Sequence, residues 1–189
     1  MSTIIEAPKS AFRTHPEGTF LAVMADCWLE TRPNPWKGEL RDKKDPSKGV
    51  DTRETITEIK LVFLTEDADE NGKPSSVRYS STASVAENSN LRKFIKGWFP
   101  KLQDADFERF DADKLIGKGA YITVAHRESK GNVYANVVNA SQPPKGLPIP
   151  VIPAEFVRRK DKPADGEAAG QQQAAPSAPV AEEPNDLPW

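Results

Sequence analysis

This 189-residue chain contains 28 carboxylates but only two imidazoles and one thiol that could take part in acid–base or metal catalysis. The two histidines, His15 and His126, are far apart in sequence, and neither has a neighbour at metal-binding spacing. The single cysteine, Cys27, allows neither a disulfide nor a thiolate cluster for zinc. The carboxylates of residues 104–113 lie beside apolar residues in predicted helical turns, which is typical of a solvated face rather than of a metal-dependent nuclease. The sequence predicts no enzyme, no metal site and no cofactor.

Cations and one aromatic ring concentrate instead in residues 31–52. This segment contains three prolines and two glycines, so it predicts a long loop. Loops longer than about 12 to 15 residues are uncommon in compact domains and are usually functional or disordered. Trp36 lies among polar residues, where burial of a ring is least expected, and packing onto the domain is the alternative. The cations that could contact a polyanion here are Lys37, Arg41, Lys43, Lys44 and Lys48, followed by Arg53.

Further candidates lie on predicted strands and in a second loop. Binding a single strand without sequence preference needs cations for the phosphates and rings on which bases stack, each stack being worth about 1 to 3 kcal/mol. Tyr79 and Tyr134 are candidate rings, for which a core position is an equal alternative, whereas Trp28, Phe94 and Trp98 are assigned to the core. The prediction concerns the cluster of cations, since each one alone is as well explained as a surface charge. The cations added here are Lys60, Arg78, Arg127 and Lys130.

The last eight residues, 182–189, form a separate candidate site. From Asp161 to Pro188 there is no aromatic residue, and such a composition cannot bury enough apolar surface to fold. A tryptophan at the tip of a disordered acidic segment predicts a docking peptide, with a solubilising tail as the alternative. The docking residues would be Asp186, Leu187, Pro188 and Trp189.

The formal net charge of −2 conceals an asymmetry. Residues 161–189 hold six acids and one lysine, which leaves 22 acids and 25 bases before them. A slightly basic body suits a polyanion, and an acidic tail could compete for the same surface, although ordinary charge scatter is the alternative. The chain has neither a signal-peptide pattern nor an apolar run of about 18 residues, so we expect a cytoplasmic protein without membrane contact.

Five predicted strands and one helix must position these residues. The strands cover residues 18–29, 53–65, 76–84, 119–128 and 133–140, and Asn71-Gly72 is a hairpin signal between the second and third. A helix follows Ser89 as N-cap, with apolar residues at helical spacing up to Pro100. Residues 142–156 hold five prolines among apolar residues, which predicts an extended strap lying on the domain or on a second copy of it.

This order of elements is that of a five-stranded oligonucleotide-binding (OB) barrel with one helix between strands 3 and 4. In such a mainly β fold the ligand lies across strands 2 and 3, between the loops that join strands 1 and 2 and strands 4 and 5. Both loops are basic here. Small barrels also host protein–protein contacts, so the fold alone does not define the function.

A pattern of short motifs runs through four segments: His15 to Trp28, Pro33 to Gly38, Asn90 to Phe94, and Gly117-Lys118 leading to a strand with Tyr134 to Val137. Together these segments resemble bacteriophage single-stranded DNA-binding proteins of the OB-fold type. Residues 186–189 separately resemble the acidic tip of bacterial single-stranded DNA-binding proteins, with tryptophan in place of the final phenylalanine. The resemblance implies DNA binding in replication or recombination within a host cell, and recruitment of partner proteins by the tip.

We therefore expect four parts in the chain. They are an N-terminal arm (residues 1–15), an OB-fold single-stranded DNA-binding domain (16–142), a Pro-rich strap (143–160) and a disordered acidic tail with a docking tip (161–189). The expected function is sequence-independent binding and protection of single-stranded DNA. The alternative is an OB-fold protein–protein adaptor without direct nucleic-acid contact. A homo-oligomer is compatible with either function, and the sequence leaves the preference between DNA and RNA open.

Overall fold

A computed structural model describes residues 14–41, 45–68, 72, 74–129 and 132–162. Its strands close into a barrel in the order β1-β2-β3-β5-β4, and β1 pairs with β4 to complete it. Strands β3 and β5 pair in parallel. One helix lies between β3 and β4, so this is the predicted OB topology. The elements are β1 (Gly18–Pro33), β2 (Thr55–Ala68), β3 (Pro74–Thr82), α1 (Asn90–Trp98), β4 (Gly119–Ser129) and β5 (Asn132–Ser141), with 3-10 turns at Pro46–Lys48, Asp104–Phe107, Ala112–Leu115 and Arg159–Asp161.

The barrel interior follows from strand alternation and from the apolar stripe of α1. On β2, Ile59, Leu61 and Phe63 are buried, whereas the residues between them belong to the other side of the sheet. The helix begins at the predicted N-cap, because the Ser89 hydroxyl accepts a hydrogen bond from the Arg92 amide at 3.2 Å. Its buried stripe ends in Trp98, whose indole N–H donates to a β4 carbonyl. The helix thereby joins the core of the barrel.

A bulge in β1 changes which residues face the core. The pairing of β1 with β2 shifts between Met24 and Asp26, so that Ala25 is an extra residue. Met24 belongs to the interior before the bulge, and Cys27 packs against the interior after it. Trp28 therefore lies on the outer side of the sheet, and its prediction as a core residue is wrong. The other two predicted core rings, those of Phe94 and Trp98, are buried.

The Pro-rich segment lies on the chain's own domain, which was one of its two predicted placements. Ile149, Ile152 and Phe156 pack over a second small cluster on the outside of the barrel, formed by Val23, Ala25 and Leu64. The close fit also involves β4, because a Cβ atom at Gly119 would clash with the Ile149 side chain. We call residues 143–162 the strap, and it explains why β1 is buried on both of its faces.

Candidate nucleic-acid interface

The candidate interface is the outer surface of β2 and β3 together with the neighbouring parts of β1, β4 and β5. It extends between the β1–β2 loop (residues 34–54) and the turn that joins β4 to β5. On β3, Arg78 lies opposite Asn136 of β5, and on β4, Arg127 lies opposite Tyr134. Because side chains alternate along a strand, these residues lie on the side opposite to the buried ones. We define the outer face by Trp28, Lys60, Arg78, Arg127, Tyr134 and Asn136.

Trp28 is the centre of a cluster of cations on this face. The guanidinium carbon of Arg78 lies 5.3 Å from the centroid of the indole ring, and that of Arg159, from the strap, lies 4.7 Å from it. Both distances are within the range of cation–π attraction. The indole N–H of Trp28 is buried and has no hydrogen-bond partner among the described residues. The described contacts of the indole are therefore those with the two guanidinium groups.

Several of the lysines and arginines predicted to contact nucleic acid form ion pairs with carboxylates. Lys60 lies 2.6 Å from Glu58 and 3.6 Å from Glu30, and its side chain is largely covered. A hydrogen bond from Arg32 lowers the pKa of Glu58, burial raises it, and a hydrogen bond from Lys60 lowers it further. The net result is a pKa below the usual range, so Glu58 stays charged. Three cations of the β1–β2 loop are likewise paired: Lys37 with Glu54, Lys48 with Asp45, and Arg53 with Asp51.

Other arginines have no such compensation. Arg41, Arg78, Arg127 and Arg159 have no carboxylate partner within the part of the chain that the structure describes. Arg78 and Arg127 belong to the outer face, Arg159 adjoins it from the strap, and Arg41 lies in the β1–β2 loop. A guanidinium presents several donors in a planar fork that matches a phosphate. These arginines are therefore the cations best placed to meet an anionic ligand.

The β1–β2 loop is held in shape by short-range contacts. The buried Asn34 accepts a hydrogen bond from the Trp36 amide at 3.0 Å and donates to the Arg53 carbonyl at 3.0 Å. A bridge between Leu40 and Val50 closes a smaller turn within the loop. Trp36 remains 45% exposed, with the Arg32 guanidinium 5.9 Å from its ring centroid. Hydrogen bonds thus fix the backbone of the loop beside Trp36, whose ring is exposed to solvent.

The two candidate tyrosines have different positions. Tyr134 is 50% exposed on β5, next to Arg127 on the neighbouring strand, so its ring is open to a stacking partner. Tyr79 is only 7% exposed and stacks on Phe94 with 3.8 Å between ring centroids. Its ring faces the core, where no base reaches it. The prediction that Tyr79 contacts nucleic acid is therefore corrected.

Some predicted site residues lie outside the described residues. These are Lys43 and Lys44 of the first loop, Lys130 of the second, and the docking residues Asp186, Leu187, Pro188 and Trp189. Conversely, sequence reasoning missed Trp28 and Arg159 as surface groups. One signal could have located Trp28: Asp26 occupies a position that strict alternation from Met24 assigns to the core. A carboxylate there indicates a change of phase in the strand.

The chemistry available elsewhere on the described surface is limited. A groove of about 450 Å³ opens beside Cys27 and Trp28, but burial and a hydrogen bond to Asp113 raise the pKa of the Cys27 thiol to about 12. A thiol protonated at neutral pH is a poor nucleophile. Among the described residues, no group of three or more histidine, cysteine or acidic side chains could hold a metal ion. No helix among the described residues has both the length and the apolar composition needed to span a bilayer.

Comparison with known proteins adds no family to this description. No protein-family model matches the chain, and no curated protein is significantly similar to it in sequence. The class of the molecule therefore rests on its topology: a closed five-stranded barrel of the OB type with one helix. Its outer face combines the half-exposed Tyr134 ring and the partly buried Trp28 ring with arginines that no described carboxylate neutralises.

Proposed function

We propose that this chain binds single-stranded DNA without sequence preference and protects it during phage DNA replication or recombination. The observation that carries the proposal is the placement of Arg78, Arg127 and the half-exposed Tyr134 on the outer face of an OB barrel. Sequence-independent binding needs this combination of cations and stacking rings, and OB folds bind oligonucleotides across the same strands.

In this proposal the DNA strand crosses β2 and β3 between the two flanking loops. Phosphates contact Arg78 and Arg127, with Arg41 adding a contact from the β1–β2 loop. Bases stack on Tyr134 at one end of the face and on Trp36 at the other, each stack contributing about 1 to 3 kcal/mol. The lysines that already pair with carboxylates contribute less, because a phosphate must compete with an existing partner.

An oligo-dT titration at several salt concentrations tests the proposal. Binding followed by fluorescence anisotropy should weaken as salt rises, because phosphate neutralisation releases counterions from the strand. The slope of log K against log salt then estimates the number of phosphates contacted. Absence of binding at low salt, or binding that does not respond to salt, would contradict the proposal.

The acidic tip is the second part of the proposed function. Residues 186–189 would recruit replication or recombination proteins, with Trp189 filling a pocket of the partner and the carboxylates meeting basic residues around it. This part rests on the sequence of the tip. Comparing partner capture by the full chain and by a Trp189→Ala variant tests it, since both share the same barrel.

A protein–protein adaptor is the alternative function. The exposed apolar residues Val133 and Val138 on β5 and Val151 on the strap favour it, because exposed apolar groups are suited to protein contacts. An adaptor predicts a partner contact that persists at high salt and does not depend on Trp36. The oligo-dT titration separates the two functions directly.

A further inference from the structure

The end of the strap reaches the outer face. After Phe156 anchors on the barrel, the chain passes Trp28 and turns through Arg159–Asp161. Arg159 lies with its guanidinium 4.7 Å from the Trp28 centroid, and Arg78 approaches the same ring from β3 at 5.3 Å. Two arginines from segments about 80 residues apart in sequence thus meet at one indole.

The neighbouring Arg158 holds this arrangement in place. Its guanidinium donates to Asp26 at 3.2 Å and to Asp113 at 2.6 Å, and the Arg159 amide donates to the other oxygen of Asp26 at 2.7 Å. The side chain of Asp26 is almost completely buried. These contacts compensate the charge of Arg158 and fix the backbone of Arg159, while the Arg159 side chain stays exposed without a carboxylate partner among the described residues.

A groove lies beside the strap. It has a volume of about 380 Å³ and lies between the strap and the β2–β3 hairpin, with Ser76 and Lys162 among its lining residues. Ser76 lies two residues before Arg78 on the same side of the strand. The strap therefore forms one wall of a groove that shares a face of β3 with Arg78, and Glu155 of the strap also lines this groove.

We propose that Arg159, Arg78 and Trp28 form a phosphodiester-binding subsite, so that the strap is part of the nucleic-acid interface. Arg78 and Arg159 contact phosphates of one single strand, and Trp28 is a positioning residue that holds both guanidiniums. A guanidinium fork on a fixed backbone loses less conformational freedom on binding than a mobile lysine does. This inference rests on the proposed function.

The test compares single variants in the oligo-dT titration. Arg159→Ala and Arg78→Ala should each weaken binding roughly fivefold at low salt and lower the salt slope by about one, as loss of one phosphate contact does. The matched control is Arg109→Ala, which removes the same charge from an exposed arginine of the segment between α1 and β4. Its affinity should stay within about twofold of wild type.

Two further variants separate DNA contact from strap packing. Arg159→Lys keeps the charge and should keep the wild-type salt slope, with a smaller loss of affinity than the alanine variant. Trp28→Phe keeps a ring beside the arginines and should bind DNA more tightly than Trp28→Leu at equal thermal stability. If Arg159→Ala binds like Arg109→Ala with an unchanged slope, the subsite is overturned while the proposed function stands. If the wild-type protein itself fails to bind at low salt, the proposed function is overturned.

Discussion

The cations of the outer face fall into two groups according to their neighbours. Lys60 lies between Glu58 and Glu30, whereas Arg78 lies over the Trp28 indole and has no carboxylate partner among the described residues. A phosphate gains less from a cation that is already paired, because the existing ion pair must first be separated or shared. The count of basic residues in a loop therefore overstates the number of phosphate contacts it supplies.

Trp36 provides a direct test of base stacking. Trp36→Ala should weaken oligo-dT binding by about 1 to 3 kcal/mol, since the exposed ring would lose its stacked base. Thermal stability should change little, because the ring is 45% exposed in the free protein. Leu40→Ala is the matched control, being an apolar residue of similar exposure in the same loop. Equal affinities for the two variants would exclude Trp36 from the interface.

Cys27 should be chemically quiet despite its partial exposure. With the pKa raised to about 12 by burial and by the Asp113 hydrogen bond, almost no thiolate exists at pH 8. We expect alkylation by iodoacetamide at pH 8 to be at least roughly tenfold slower in the native protein than in denaturant, where the pKa returns to about 8.5. Comparable rates in the two states would show that the thiol is neither buried nor held by Asp113.

The pairing of β1 with β2 is reinforced by charge. The side chains of Arg32 and Lys60 both meet Glu58, whose own side chain is nearly buried. The Arg32–Glu58 contact connects the end of β1 to the start of β2, where the long loop leaves the barrel, and Lys60 also lies 3.6 Å from Glu30 of β1. The arrangement fixes the edge of the outer face on which the loop is mounted.

Acid should weaken this connection. The pKa of Glu58 lies lower in the folded protein than in the unfolded chain, so its contribution to stability is present above about pH 4.3 and is lost as the pH falls through the folded-state pKa. Denaturant unfolding at pH 7 and pH 3 should show a larger loss of unfolding free energy in wild type than in Glu58→Gln. A variant with the same pH dependence as wild type would contradict this assignment.

The strap can be tested through its closest contact with the barrel. Gly119→Ala places a methyl group against Ile149 and should lower the free energy of unfolding by about 1 to 3 kcal/mol, as overpacking does. The double variant with Ile149→Ala should lose less free energy of unfolding than the sum of the two single variants, because the smaller side chain leaves room for the new methyl group. Strictly additive destabilisation in the double variant would mean that the two residues do not touch.

Strand alternation and helix spacing were sufficient to predict the element order and the closed barrel. Ile59, Leu61 and Phe63 alternate without interruption, and the capped apolar stripe of α1 has few other interpretations. The β1 bulge was not predictable by counting, because one extra residue at Ala25 reverses the facing of everything after it. Trp28 was misassigned for this reason. The ion pair of Lys60 with Glu30 crosses strands and depends on a register that the sequence alone does not reveal, whereas the pair with Glu58, two residues away on β2, follows from strand alternation.

The proposed DNA-binding face is basic, whereas the C-terminal segment of the chain is acidic. Residues 163–189 contain five acids and no lysine or arginine, whereas Lys160 pairs with Asp113 and the strap ends at residue 162. A chain shortened to end at Lys162 therefore lacks the acidic segment and keeps every described contact of the strap. The same acids that would attract a basic partner protein also have the charge to compete with DNA for the outer face.

A chain ending at Lys162 tests this competition without disturbing the barrel. It should bind oligo-dT as tightly as the full chain or more tightly at low salt, because five negative charges no longer compete with the phosphates. The difference between the two chains should shrink as salt rises, since screening weakens the competitor as well. A variant with the five acids of residues 163–189 replaced by their amides should behave like the shortened chain, because charge rather than length drives the effect. A large loss of affinity on shortening would instead place DNA contacts within residues 163–189.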